Sequence, residues 1–435
     1  MYQQLVEYLR DKKVLLLGFS REGRSTYNFM RRYLPSQHID IADMKEISID
    51  DENVTLHCGD GYLDAINDAQ IVIKAPGVPL LNFTKPENVE ITCQVDLFLR
   101  FAGCMCIGVT GTKGKTTTST LIHAMLRAGN KNACLIGNMG YPVLDSIEDD
   151  NDIAVIEMSS HMLEYTSVSP QISVLTNVYP EHLDHYDSYE CYVNAKLNIV
   201  KHQHEDDLFI YNKDQGVDQW LDLSTVKSEK LAISADDPRG QKFEGINERI
   251  VGGHNIQDCL FASEIAKRLG VTDEEIMTAL EDYEGIEHRL EPVGTFLGIK
   301  FYNDCIATIP HSVACAVDAL KDVDTLIFGG MDRGIDYQEF ESFLKASSIS
   351  NLICMPETGH KIGMKLANDG CTKNIVIVED MEGAVRSAFN YTSRGKICLL
   401  SPAAPSYNKY KCFEEKGRHY KSLIKHFAAM GGERK

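Results

Sequence analysis

The stretch Gly108-Val109-Thr110-Gly111-Thr112-Lys113-Gly114-Lys115-Thr116-Thr117 decides the fold. It joins an apolar run, Cys104 to Val109, to an amphipathic stretch, Thr118 to Arg127, and so reads as a buried strand, a glycine turn and a helix. In such a turn, backbone N–H groups and the positive end of the helix cradle phosphate oxygens. Lys115 would lie on the β and γ phosphates of ATP, and the Thr116 hydroxyl would reach Mg²⁺. The spacing is one residue off G-x-x-x-x-G-K-[ST], because Gly108 lies six before Gly114 and Val109 occupies the expected glycine. That departure points to a subclass of phosphate-binding loop; an ordinary glycine-rich strand-to-helix turn is the bland alternative.

Magnesium takes hard oxygen ligands, and α/β folds place carboxylates for it at the ends of parallel strands. Glu157, ending the run Ile153 to Ile156, suits that role, with a helix-capping acid before Ser159-Ser160 as the other reading. After a further apolar run, Leu175-Thr176-Asn177-Val178-Tyr179-Pro180-Glu181-His182-Leu183-Asp184-His185 offers a metal or substrate ligand, and spacing does not choose between His182 and His185. Lys196 falls on a helical stretch, where a lysine is ordinarily only solvated. The chain has neither a G-x-S-x-G elbow nor an H-E-x-x-H helix. With no protein nucleophile in view, ATP and Mg²⁺ must supply the driving force, through phosphoryl transfer, ligation or hydrolysis.

Outward from this centre, apolar runs alternate with amphipathic stretches, which predicts an α/β fold with mainly parallel sheets. Its 435 residues are enough for three domains at roughly 100 to 200 residues each. The predicted division is 1–95, Rossmann-like; 96–286, a central phosphate-loop sheet; and 287–435, a second Rossmann-like α/β domain. The first opens with a strand over Lys12 to Gly18, a turn through Ser20-Arg21-Glu22-Gly23, a helix from Ser25 to Tyr33 and a strand from His38 to Ala42 followed by Asp43. This outlines a nucleotide-binding βαβ unit, although Ser20 replaces the middle glycine of G-x-G-x-x-G, and a plain crossover fits equally. A net charge of -19 repels DNA, RNA and anionic membranes, so no nucleic-acid or membrane partner is expected. No apolar run could span a bilayer and no signal peptide opens the chain, so a cytoplasmic location is expected. The 13 cysteines show no C-x-x-C pair and read as buried thiols.

Taken together, the loop at 108–117, Glu157-Met158-Ser159-Ser160, Leu175-Thr176-Asn177-Val178 with His182 and Asp184, Gly253-His254-Asn255, His288-Arg289 and Asn303-Asp304 resemble the Mur ligases, ATP-dependent amide-forming enzymes of peptidoglycan precursor synthesis. Gly329-Gly330-Met331-Asp332-Arg333-Gly334 and Ser401-Pro402-Ala403-Ala404-Pro405-Ser406, continuing to Phe413-Glu414, look like the glutamate-adding branch. The resemblance implies small-molecule substrates, namely ATP, glutamate and UDP-N-acetylmuramoyl-L-alanine, handled by a monomer. By it, Gly23, Asp43 and Pro76-Gly77 would hold the UDP part, and Asn138 and His182 the muramoyl part. Gly111, Thr112, Lys113, Gly114, Lys115, Thr116 and Thr117 would bind ATP together with Asn255, Arg289 and Asp304. One Mg²⁺ would sit on Thr116 and Glu157, and a second on His182 and a carbamylated Lys196. Arg333, Ser406 and Phe413 would receive the glutamate carboxylates.

Three departures stand out. The family's Asp-Ser-Lys-Ala-Thr reads Asp304-Cys305-Ile306-Ala307-Thr308 here, so a lysine near the glutamate site becomes isoleucine. Ser-Ser-Phe-Gln becomes Ser159-Ser160-His161-Met162, and the second asparagine of His-Asn-x-x-Asn becomes Asp258. Losing a cation beside a dicarboxylate removes charge-assisted hydrogen bonds. The expected activity is addition of D-glutamate through an acyl phosphate. The alternatives are an L-glutamate-adding relative, a kinase that stops at the phosphorylated carboxylate, and a non-catalytic nucleotide-binding regulator.

Overall fold

A computed structural model describes residues 2–81, 83–138, 141–181, 185–247, 249–250 and 252–431. Three sheets follow one another along the chain. The first contains β1 (Val14–Leu17), β2 (Ile39–Asp43), β3 (Val54–Cys58), β4 (Ile71–Lys74) and β5 (Glu90–Thr92), all parallel, in the order β3-β2-β1-β4-β5. The second contains β6 (Met105–Thr110), β7 (Ala133–Gly137), β8 (Ile153–Glu157), β9 (Ile172–Leu175), β10 (Leu208–Asn212) and β11 (Glu229–Ile233), also all parallel, in the order β11-β10-β9-β6-β8-β7. The third contains β12 (Glu291–Phe296), β13 (Ile299–Asn303), β14 (Val323–Phe328), β15 (Asn351–Cys354), β16 (Asn374–Ile377) and β17 (Ile397–Leu400), in the order β12-β13-β17-β14-β15-β16. Only β12 runs antiparallel there, pairing with β13 as a hairpin. The expected α/β architecture of three sheets is thus present.

The central strands of each sheet are buried and mostly apolar, as the four residues of β1, Val14-Leu15-Leu16-Leu17, illustrate. That follows from helices covering both faces of a parallel sheet. Helices start earlier than the amphipathic pattern suggested. The first crossover helix is Arg21–Tyr33 and not Ser25 to Tyr33, because the supposed turn residues already form its first turn. The helix after the phosphate loop is Lys115–Ala128 and not Thr118 to Arg127. Gly108 proves to lie inside β6, where a Cβ would come within 2.5 Å of Pro170 and 2.7 Å of the Met158 sulfur. It is a strand-packing glycine, which is why it misses the loop's usual spacing.

By compactness the chain forms two units: the first two sheets together in one (1–247 and 253–283), and the third sheet in the other (284–435, with the short stretch 248–252). Within the first unit, Ser25 Oγ donates to Asp145 at 2.6 Å, Lys74 pairs with Glu164 at 3.1 Å, and Asp96 accepts from the Ser167 N–H at 2.6 Å. A single apolar cluster running from Leu5 and Phe98 to Ile136 and Phe209 lies beneath these contacts. None of the thirteen cysteines forms a disulfide among the described residues, but the buried-thiol expectation holds only in part: Cys191 and Cys315 are exposed, and Cys58, Cys104, Cys134, Cys371 and Cys412 are half-buried. Among the described residues no helix is long and apolar enough to cross a membrane.

In the second unit the helix Phe413–Ala429 crosses the end of β13 so closely that a Cβ on Gly417 would overlap the buried His288 ring and lie 2.9 Å from Asn303 Nδ2. That ring is fixed by Asn303 at 2.8 Å and has little room to yield. We expect Gly417→Ala to destabilise the third sheet's unit by about 1 to 3 kcal/mol through overpacking. Chemical denaturation of the variant beside the parent measures this, and an unchanged midpoint would refute the close approach.

Candidate active site

The loop between β6 and the helix Lys115–Ala128 is gripped by the segment that follows β9. Asn177 accepts the Thr112 N–H on its carbonyl and the Lys113 N–H on Oδ1, each at 2.8 Å. In return, the Asn177 amide and the Thr176 hydroxyl donate to the Lys113 carbonyl, at 3.0 and 2.6 Å. Thr176-Asn177 is therefore the clamp that sets the loop's shape. The sequence marked these two residues as part of the Mur ligase pattern and by their place after an apolar strand, but not as a clamp on the loop.

Two lysines converge on this loop. Lys115 Nζ donates to the carbonyls of Gly111 and Thr112 at 2.9 Å each, and Lys196 Nζ donates to Gly111 at 2.8 Å. Lys196 belongs to the helix Tyr189–Lys201, but the solvated reading of it is wrong: at 2% exposure it lies inward, its ammonium 4.8 Å from the Tyr192 ring centre. Burial, and next the nearby Lys115 charge, hold its amine well below the ordinary lysine range. Tyr192, missed from the sequence, also shares a 2.8 Å hydrogen bond with Thr112.

Glu157 ends β8 beside Val109 of β6 and Gly137 of β7, at the carboxyl edge of the sheet. Its Oε1 accepts from Asn138 Nδ2 at 2.6 Å, while its buried Oε2 has no hydrogen-bond partner. It does not cap the following helix, because Ser159 does so by accepting from the Met162 N–H. An orphaned carboxylate oxygen near a phosphate loop suits a hard divalent cation. Among the described residues no cluster of three or more His, Cys, Asp or Glu forms a metal site on its own. His182 and Asp184 lie outside the described residues, as do Met139 and Gly140 beside Asn138. His185 reaches Glu164 at 3.4 Å and packs edge-on against His161, with ring centres 4.1 Å apart.

In the first sheet, Asp43 at the end of β2 accepts from the Phe19 N–H at 2.7 Å and the Lys45 N–H at 2.9 Å. Gly23 lies buried in the helix after β1, and Pro76-Gly77 follows β4, so all three face the same strand ends. On the second sheet's side, Asp258 accepts from Thr118 at 2.9 Å and sits beside Gly114, with Asn255 one turn earlier on the helix Gly253–Arg268. The second unit gathers another set of residues. Asp304, just past β13, accepts from Ser401 Oγ at 2.7 Å and from the Leu290 N–H at 3.3 Å. Arg289 lies close enough to act on it by charge, and its own Nε is buried without a partner. Arg333 is exposed in the loop after β14, Ser406 is buried in the loop after β17, and Phe413 opens the last helix edge-on to His288.

A model of the Mur ligase middle domain matches residues 109–265, and one of the Mur ligase glutamate ligase domain matches residues 288–404. UDP-N-acetylmuramoylalanine--D-glutamate ligase of Listeria monocytogenes serotype 4b (strain F2365) is 33% identical, covering 96% of this chain and 97% of its own length. The chain belongs to the Mur ligase family. It is an ATP-dependent ligase. The ligase of the same printed name from Ligilactobacillus salivarius (strain UCC118) is 30% identical over 95% of this chain and 96% of its own. Among solved structures, MurF ligase from Thermotoga maritima in complex with ADP superposes with a TM-score of 0.58 at 15% identity, covering 97% of both chains. UDP-N-acetylmuramate-alanine ligase MurC from Thermotoga maritima gives 0.57 at 18% identity, over 95% of this chain and 99% of that one. At such identities these two bear on the fold alone.

One residue of this Mur ligase ties its site to its stability. Burial pushes the Asp304 carboxyl up to about 7, against about 3.9 for an ordinary aspartate. The folded ligase therefore holds a proton that the unfolded chain has released over that interval. Its contribution is fully present below about pH 4 and is lost as pH rises through about 7. We expect Asp304→Asn to gain thermal stability relative to the parent ligase between about pH 5 and pH 8. Melting temperatures across that range decide it, and a pH-independent gap would contradict the raised carboxyl.

Proposed function

We propose that this ligase joins D-glutamate to the terminal carboxyl of UDP-N-acetylmuramoyl-L-alanine, using ATP, in peptidoglycan precursor synthesis. The meeting of Lys115 and Lys196 on the Gly111 carbonyl carries the reading, since a lysine cation beside a buried amine of depressed basicity suits a triphosphate and a carbamate-held metal ion brought together. The near-full-length likeness to ligases whose names specify D-glutamate supports the choice of substrate.

A carboxylate is a poor acyl donor. Transfer of the ATP γ-phosphoryl group to it forms an acyl phosphate, whose phosphate is a competent leaving group. Lys115 offsets the charge of the two anions and the Gly111–Thr117 turn orients the phosphates. The glutamate amine attacks the acyl carbon, and the tetrahedral intermediate collapses with loss of phosphate. Thr116 and Glu157 would hold one Mg²⁺, and His182 with a carbamylated Lys196 a second; bound there, the ions would neutralise phosphate charge. Carbamylation needs a neutral amine to attack CO₂, with release of a proton, and the depressed Lys196 amine is suited to it. In the same reading Gly23, Asp43, Pro76 and Gly77 take the UDP part, Asn138 and His182 the muramoyl part, and Asn255, Arg289 and Asp304 the nucleotide. Arg333, Ser406 and Phe413 take the glutamate. Residues 1–95, 96–286 and 287–435 are the corresponding functional domains of a cytoplasmic monomer.

Phosphate release should require ATP, UDP-N-acetylmuramoyl-L-alanine and D-glutamate together, with the nucleotide-linked dipeptide found by mass. Release that L-glutamate supports equally, or that needs no amino acid at all, would overturn the assignment. Lys196→Ala should lose most of this activity and regain part of it with short-chain carboxylic acids. Unchanged turnover in that variant, with an unmodified lysine in the parent, would rule out the carbamate.

A further inference from the structure

At residue 306, where the Mur ligase pattern leads one to expect a lysine, the chain carries a half-buried isoleucine, leaving the amino-acid end of the site short of a cation. The same unit holds a buried amine without an acid beside it. Lys416, in the first turn of the helix Phe413–Ala429, is 2% exposed, and its Nζ donates to the Gly329 carbonyl at 2.9 Å. Among the described residues it forms no ion pair; the ionisable group that acts on it by charge is the Cys305 thiol, adjacent to residue 306. Burial lowers this amine to about 8, so at neutral pH it still carries its proton. A buried charge of this kind is costly until something negative meets it.

The surroundings supply a place for that anion. Gly329 follows β14, Cys305 follows β13, and Ser401 to Ser406 follow β17, so these segments share the carboxyl edge of the third sheet, where α/β folds take small ligands. The Gly329 N–H donates to Pro402 at 2.9 Å and the Met331 N–H to Pro405 at 2.7 Å. The segment leading to Arg333 is thus gripped by Lys416 on one side and by the 402–405 loop on the other. Ser406, next along that loop, is 3% exposed, and its Oγ has no partner. A caged ammonium and an orphan hydroxyl therefore border one short loop that ends in an exposed arginine.

We propose that Lys416 is a positioning residue for the incoming amino acid: anchored on Gly329, it fixes the loop that carries Arg333 and supplies the positive charge that residue 306 lacks. Selection of a dicarboxylate over a neutral amino acid follows from that charge. The inference rests on the glutamate-ligase reading and deepens it.

The test uses the full-length ligase. Lys416→Met keeps the stem and removes the charge; Lys416→Arg keeps the charge; Ile306→Lys in the Lys416→Met background returns a charge at residue 306. We expect Lys416→Met to raise the D-glutamate KM by about tenfold or more, with the ATP KM within about twofold. Lys416→Arg and the double variant should each recover most of that loss. An unchanged glutamate KM, or equal rises for glutamate and ATP, would overturn the proposal. Should Lys416→Met fail to fold, the double variant decides: folding with tight glutamate binding supports the charge, and folding without it, or not folding at all, assigns Lys416 to structure alone. A parent chain lacking glutamate-dependent phosphate release would instead sink the ligase reading itself.

Discussion

The Gly111 carbonyl accepts hydrogen bonds from two lysines, and the surrounding helices and loop hold all three groups in place. Two ammonium groups sharing one oxygen would repel each other, and burial together with the Lys115 charge holds the Lys196 amine well below the ordinary lysine range, which eases that repulsion. Lys115 is fixed by the start of its helix, and Lys196 by a helix face packed into the core. The Thr176-Asn177 clamp keeps the carbonyl aimed at both. Lys115 and the start of its helix make a local positive site, which is how a chain of net charge -19 can bind a triphosphate.

Each of the three sheets presents chemistry at its own carboxyl edge. Asp43, Glu157 and Asp304 each lie at or just past the carboxyl end of a parallel strand, and in each case a backbone N–H or a polar side chain is aimed at the carboxylate. A parallel strand delivers its last residue to the loop edge, where helix starts gather their free N–H groups. The fold therefore repeats one solution with different acids. What distinguishes the sites is solvent: Asp43 is half-exposed, whereas Asp304 is buried deeply enough to keep its proton near neutrality.

The strand-turn-helix around Lys115, the strand ending at Glu157 and the general alternation of the chain were legible because each rests on local pattern. Lys196 was not legible as a buried group. Helical periodicity marks a face but not which face another layer will cover, and a lysine on a helix is most often outside. Tyr192, Lys74 and the clamping role of Thr176-Asn177 were missed for a related reason: their partners are far away in sequence, and a polar residue after a strand has no signature until the neighbouring strand is known. Helix starts were set late because the first turn needs no apolar residue, so Arg21 and Lys115 looked like loop. Met162, expected as a lost amide in the site, is at 1% exposure a member of the core.

The shared interior of the first two sheets bears on how such a chain can evolve. Helix Gln94–Phe101 runs through the junction and sends Val95, Leu97 and Phe98 into an apolar cluster that both sheets line. A lineage could not exchange its front module for a relative's by recombination near residue 95 without also inheriting the matching half of that interior. Novelty in the first sheet is therefore confined to loop tips, and drift in the layer below must be compensated from both sides.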